Sequence, residues 1–335
     1  MSCRSRLSHQ AGFSLVELMV ALVINLLVIA GASELLANNR RTYRVDEANA
    51  NMQDAMRFGH YLISGTIREA GFGCLGSISN VVNTLNDSTD LDYDFEDSIQ
   101  GYDSDTGYPD EVASDVVSGS DVLVIRSGYG TQVSLESEMP DSSAVLKTTA
   151  LESSPISTGD IVVLTDCSSA AIFQVTNYTD ANGNIVHNTG NSVEPGNATK
   201  SFNHSYSAGS QVLKIHSVVY YLTDNEDGQR VLIERSNESG TVSLNEMVIG
   251  IEDMQITYGV DTDASDGVDE YVEAGDITDW NDVLSIRVAL LMTSTEDNLT
   301  IEKQTYDFNG TTVTATDNRI YRSLSFVTAL RNRTE

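Results

Sequence analysis

The hydrophobic pattern changes character twice along the chain. Residues 13–33 read FSLVELMVALVINLLVIAGAS, 21 positions with one charge, Glu17. Only Ser14, Glu17, Asn25 and Ser33 interrupt the apolar run, too few for the polar stripe of a soluble core helix. The run predicts a helix that can cross a hydrocarbon core of roughly 30 Å. Residues 34–70 contain no Pro, and Val45, Ala48, Met52, Ala55/Met56, Leu62/Ile63, Ile67 and Ala70 recur mostly at steps of three and four. That spacing predicts an amphipathic helix with one apolar stripe, ending at Gly71. Glu34 offers no reason for a kink between the two stretches.

From Gly71 onward the period shortens to two. Strand candidates are Asp121–Arg126, Asp160–Thr165, Ala170–Thr176, Val212–Leu222, Arg230–Arg235, Met254–Val260, Val283–Thr293 and Ile320–Leu330. In the last of these, Leu324, Phe326, Thr328 and Leu330 alternate with the smaller Ser323, Ser325, Val327 and Ala329, which predicts a sheet with a small-residue face. DNEDG at Asp224–Gly228 reads as a hairpin turn. No βαβ pattern recurs, so the expected class is α+β: a long N-terminal helix on an antiparallel, β-rich head. Asn83–Asp121, dense in acids, and Asp180–Ser210, rich in Asn, Gly and Ser, read as surface loops. The expected organisation is a leader over 1–12, a membrane-spanning helix over 13–33, its amphipathic continuation over 34–70, and a head over 71–335.

Charge then narrows the function classes. The 335 residues carry 49 Asp+Glu against 19 Lys+Arg, a formal net charge of −30. Non-specific nucleic-acid binding needs cations that displace counterions from phosphates, so that class is excluded. With 40% hydrophobic residues the chain can still build a core. The first 33 residues hold Arg4, Arg6 and the single acid Glu17, so nearly all the acid lies later. An ordinary secretory signal is cut after its apolar run; here Gly12 sits immediately before it. Arg4 and Arg6 precede the span and Arg40, Arg41 and Arg44 follow it, so loop charge alone does not orient the helix.

Gly12–Leu22, G-FSLVELMVAL, resembles the N-terminal signature of type IV pilins and pseudopilins. The resemblance implies cleavage after Gly12 by the prepilin peptidase on the cytoplasmic face and N-methylation of the new first residue, Phe13. It places Glu17 at the position where the family keeps a glutamate for subunit assembly. A carboxylate in hydrocarbon is costly unless paired, and the free amine of Phe13 on a neighbouring subunit is the expected partner. The alternative is that Glu17 reaches the headgroups. Further on, REAGFGC (Arg68–Cys74), GIEDMQITYGVDTD (Gly250–Asp263), DWNDVLSIRVALLM (Asp279–Met292) and IYRSLSFVTALRNR (Ile320–Arg333) resemble PilW-type minor pilins. This implies a non-enzymatic subunit that primes type IV pilus assembly in a minor-pilin complex near the tip. Its implied partners are other minor pilins, the major pilin, the prepilin peptidase and the inner-membrane assembly platform. Its implied location is the bacterial inner membrane, single-pass with the head in the periplasm, and then the pilus. Two alternatives stay open: a minor pseudopilin of type II secretion, and an adhesive or Ca²⁺-responsive module displayed on the pilus.

The remaining chemistry is sparse. Cys3 lies in the leader. Export would carry Cys74 and Cys167 into an oxidising compartment, where a bridge is expected; two separate buried thiols are the alternative. DTDASDGVDE groups acids around a Gly, and hard oxygens on a tight loop suit Ca²⁺ at Asp261, Asp263, Asp266 and Asp269. Its spacing departs from the EF-hand loop, with Ser265 at the fifth position and Val272 where a Glu closes the loop. A solvated acidic hairpin is the competing reading, and no resident cofactor is otherwise expected. GFGCLG at Gly71–Gly76 follows a helix rather than a strand, so it reads as a flexible helix exit and not as a nucleotide loop. The five His form no ligand spacing, and no nucleophile elbow or Walker loop occurs.

Overall fold

The computed structural model describes residues 14–333 except 77, 79, 105, 142, 150–153, 180 and 264–266. The chain forms two compact units, Met1–Ala50 and Asn51–Glu335. One helix, α1, runs over Leu15–Glu69. In the first unit its side chains over Leu15–Leu36 are exposed, Leu15 at 75% and Leu27 at 69%, and this stretch is long and apolar enough to cross a membrane. Among the described residues of that unit, none buries this apolar surface.

In the second unit α1 behaves as an ordinary amphipathic helix. Met52, Gly59, Ile63, Ser64 and Ile67 are buried, and they fall on the stripe the spacing predicts. The helix ends where Gly71 takes φ +69°, a left-handed conformation that a side chain would strain.

The strands of the head are, in chain order, β1 (Val81–Asn83), β2 (Ile99–Tyr102), β3 (Val122–Ser134), β4 (Val145–Lys147), β5 (Ile161–Thr165), β6 (Ala170–Gln174), β7 (Asn177–Thr179) and β8 (Asn184–Val186). They continue with β9 (Gln211–Asp224), β10 (Arg230–Glu238), β11 (Thr241–Ile249), β12 (Ile251–Val260), β13 (Glu270–Val272), β14 (Val283–Thr293), β15 (Thr305–Phe308), β16 (Thr311–Thr314) and β17 (Tyr321–Ala329). A short helix, α2, covers Asp110–Ala113.

The larger sheet runs β1-β6-β5-β9-β10-β11, with β3 and β2 attached through β9. Strand β9 is its organiser: β3 pairs along most of its length, while β5 pairs with Gln211–Lys214 and β10 with His216–Asp224. The smaller sheet runs β13-β12-β14-β17, all antiparallel. Every sequence-predicted strand is present, displaced at its ends by up to eight residues. Pairing departs from expectation once: β1 lies parallel to β6. The arrangement is α+β, a long apolar N-terminal helix and a β-rich head.

The helix touches both sheets. A Cβ at Gly59 would sit 3.7 Å from Leu290 on β14 and 3.8 Å from Val248 on β11. Thr66 Oγ1 lies 2.8 Å from the Tyr220 hydroxyl on β9, and that hydroxyl donates to Glu234 on β10. His60 meets Phe326 of β17 edge-on at 4.5 Å.

Three regions read from sequence as loose are ordered. In Asn83–Asp121, Leu85, Leu91, Phe95, Ile99 and Val112 are buried, and β2 and α2 form. Arg126, 1% exposed, donates to the Asp97 carbonyl and pairs with Asp94 at 3.3 Å. Arg235 grips Asp92 with both guanidinium nitrogens. Two buried cations outside the acidic stretch therefore hold it down, an arrangement no local pattern announces. In Asp180–Ser210, Ile185, His187, Phe202 and Tyr206 are fully buried, and His187 stacks on Phe202 at 4.4 Å. The Gly71–Gly76 segment is a pinned turn: Gly71 N–H donates to the Arg126 carbonyl and Gly76 N–H to the Gly71 carbonyl.

Candidate functional site

The N-terminal site begins at Ser14. Its Oγ accepts from the Glu17 N–H at 3.2 Å, and the Glu17 carboxylate accepts from the Ser14 N–H at 3.0 Å. This reciprocal pair is a capping box, which satisfies two of the donors that a helix start leaves free. A carboxylate at that end also sits at the positive pole of the helix dipole. Within the chain, then, Glu17 already has one set of donors, while its side chain stays exposed for a second. Gly12 and Phe13, read as the cleavage and methylation positions, lie outside the described residues.

At the far end of α1, Cys74 and Cys167 are joined by a disulfide with Cα atoms 5.2 Å apart. Cys167 stands at φ +64° in the tight turn between β5 and β6, where the Asp166 carboxylate accepts from the Ser168 and Ser169 N–H groups. The bridge ties the turn after the helix to the β5–β6 turn of the larger sheet. Asn332 adds a second tie, donating from Nδ2 to the Ala70 carbonyl at 2.7 Å. Arg333 Nη1 donates to the Trp280 and Val283 carbonyls, and Nη2 to Ser98 Oγ at 2.8 Å. Burial pulls the Arg333 guanidinium down to about 10, yet it remains charged at neutral pH. Both C-terminal contacts lie inside the block IYRSLSFVTALRNR. The Asn332 clasp on the helix end was not legible there, because its partner Ala70 lies 262 positions away.

Of the acidic loop, the structure brings Asp261, Asp263 and Asp269 together, with candidate ligand oxygens within 4.8 Å of one another. Asp266 lies outside the described residues. Asp269 accepts from both the N–H and the hydroxyl of Thr262, which hold its carboxyl below the usual range.

One strongly perturbed acid escaped the sequence reading. Asp121 is 8% exposed between the two sheets and accepts from the Ile256 N–H at 2.6 Å. Burial, with Asp103, Asp253 and Glu273 nearby, raises its pKa to about 7. In so acidic a chain, composition could not single it out.

The geometry so far is that of an α+β protein: an N-terminally capped apolar helix that continues into an amphipathic half, tied by a disulfide and by Asn332 to a β-rich head. Comparison with known families adds two matches. Residues 219–332 match the family of Type IV Pilus-assembly protein W, PilW, and residues 7–33 match the prokaryotic N-terminal methylation motif. Together the two matches support a PilW-type pilin, a type IV pilus-related protein whose motif and apolar helix suggest a membrane anchor. No curated protein matches the chain.

Proposed function

We propose that the chain is a minor pilin that primes type IV pilus assembly, acting with other minor pilins near the filament tip. The observation that carries this reading is the PilW match over residues 219–332, from within β9 through β17, the part of the head that holds the smaller sheet and Asn332. The methylation motif at the other end supports processing between Gly12 and Phe13 and insertion through the inner membrane. In this reading Glu17 serves twice. In the unassembled subunit its carboxylate caps its own helix. During assembly it turns to the methylated amine of Phe13 on a neighbour, an ion pair favoured in a medium of low dielectric. The head remains outside the membrane, where the disulfide is stable, and selects partners. Its role is structural rather than catalytic. The Asp261–Asp269 carboxylates play no part in this reading.

The test is a deletion strain complemented with wild type or with Glu17→Ala. Wild type restores surface pili and the alanine variant does not, while both accumulate in the inner membrane. Normal piliation of the deletion strain would overturn the proposal. Lost protein secretion with pili intact would instead identify a type II secretion pseudopilin.

A further inference from the structure

The small-residue face of the last strand leads to a hollow. Register aligns Gln255, Ala289 and Ser325 in one row across β12, β14 and β17, and Thr257, Arg287 and Val327 in the next. These rows lie on the face of the smaller sheet that carries the exposed Ser323, Ser325 and Val327. Because Ala289 and Ser325 are short, the floor is sunken. The β15–β16 hairpin forms a wall through Asp307, Phe308, Asn309 and Gly310. The half-open hollow has a volume of about 270 Å³, close to the lower bound of small-molecule sites, roughly 300 Å³, and enough for one sugar-sized ring.

Arg287 is the cation of this hollow. Its guanidinium lies 3.6 Å from the centroid of the Tyr271 ring, and the Tyr271 hydroxyl is hydrogen-bonded to Ser285 Oγ at 3.0 Å. The stacking fixes the guanidinium before any ligand arrives. Arg57, Arg126, Arg230, Arg235 and Arg319 all pair with carboxylates, whereas among the described residues none pairs with Arg287. Arg287 and Asp307 are the two charged groups lining the hollow, and the stacked guanidinium keeps its fork free for an acceptor.

We propose that this hollow binds a sugar acid, its carboxylate on Arg287 and its ring against the hairpin wall. Arginine presents a fork that matches a carboxylate. The other lining groups suit hydroxyls: the Gln255 Oε1 and Asp307 carboxylate oxygens accept, and the Ser323 and Ser325 hydroxyls donate or accept. Gln255 is held in place because its Nε2 donates to the Gly119 carbonyl at 2.7 Å and to Asp253 at 3.0 Å, which leaves Oε1 for a ligand. Asp307 already accepts from Thr312 Oγ1 and is likewise held. Phe308 offers an apolar surface to a ring. Such a mixture fits a hydroxylated carboxylate better than a peptide terminus, which would bring no row of hydroxyls. The charge of −30 favours a single terminal sugar acid over a polyanionic chain, because a polymer would be repelled by the rest of the head.

The experiment is ligand-observed saturation-transfer NMR on the full chain in detergent micelles, titrated with glucuronate, glucose and an alanyl dipeptide. Glucuronate is expected to bind, with glucose at least about tenfold weaker for want of the charge-assisted contact and the dipeptide at least about tenfold weaker for want of the hydroxyl contacts. Arg287→Gln should weaken glucuronate by a similar factor. Ser325→Leu, which fills the floor from an exposed position, should abolish binding with no change in melting temperature. Absence of glucuronate binding, equal binding of glucose, equal competition by the dipeptide, or wild-type binding by Ser325→Leu would each overturn the proposal.

Discussion

Ser64 on α1 and Thr328 on β17 share a hydrogen bond, Oγ to Oγ1 at 3.0 Å, across 264 positions of sequence. Both residues are buried, at 1% and 3% exposure. The pair marks where the helix is seated on the smaller sheet. Removing one hydroxyl leaves the other without its partner in a dry environment, which costs about 1–3 kcal/mol. Thr328→Val and Ser64→Ala should each destabilise the head by that order. The double variant should cost clearly less than the sum, because it leaves no orphaned group. Chemical denaturation of the four proteins closes the cycle, and strict additivity would rule the interaction out.

Asp121 predicts an unusual pH dependence. Its folded pKa is raised to about 7, above the ordinary carboxylate value, because burial disfavours the charge. The folded state therefore holds a proton that the unfolded chain has released. That contribution to stability is fully present below the unfolded pKa and is lost as pH rises through about 7. Asp121→Asn keeps an acceptor for the Ile256 N–H and removes the ionisation. The variant should melt above wild type at pH 8, with the difference shrinking toward pH 4. Parallel melting curves across that range would contradict the assignment.

The disulfide closes the chain over 93 positions. In the loop-entropy account a bridge of that span stabilises by up to about 4–5 kcal/mol. The Cys74→Ala/Cys167→Ala double variant should therefore unfold at markedly lower denaturant concentration. Non-reducing peptide mapping of the wild-type chain should recover the two cysteines in one cross-linked peptide.

Gly101 on β2 predicts a steric limit. A Cβ there would collide with the hydroxyl of Tyr258 on β12, a side chain only 1% exposed. The close approach lets the two sheets meet beside Asp121. Gly101→Ala should cost about 1–3 kcal/mol through overpacking. Tyr258→Phe in the same background should recover part of that loss by vacating the contested space. Melting temperatures of the single and double variants decide it.

Much of this protein was legible in one dimension. The apolar run from Phe13 and the three-and-four spacing of Met52, Ile63 and Ile67 each repeat a local rule, so the helix, its long apolar half and its buried stripe follow from the sequence alone. The strands follow too, as does the turn at Asp224–Gly228, because alternation and turn chemistry are also local. So is the Ser14–Glu17 spacing, although its meaning as a capping box emerged only with the helix start in view.

Tertiary structure decided how those pieces meet, because long-range contacts leave no periodic trace. The acidic stretch around Asp92 and Asp94 reads as a solvated loop until Arg235 and Arg126 are brought to it from distant strands. Asp121 is one of 49 acids until two sheets close over it and raise its pKa. Ser323 and Ser325 show a small face in the sequence. The hollow above them, lined by Arg287 and Asp307, exists only once β12, β14 and β17 are in register under a hairpin. Local energies select elements, whereas burial and charge pairing between distant residues select sites.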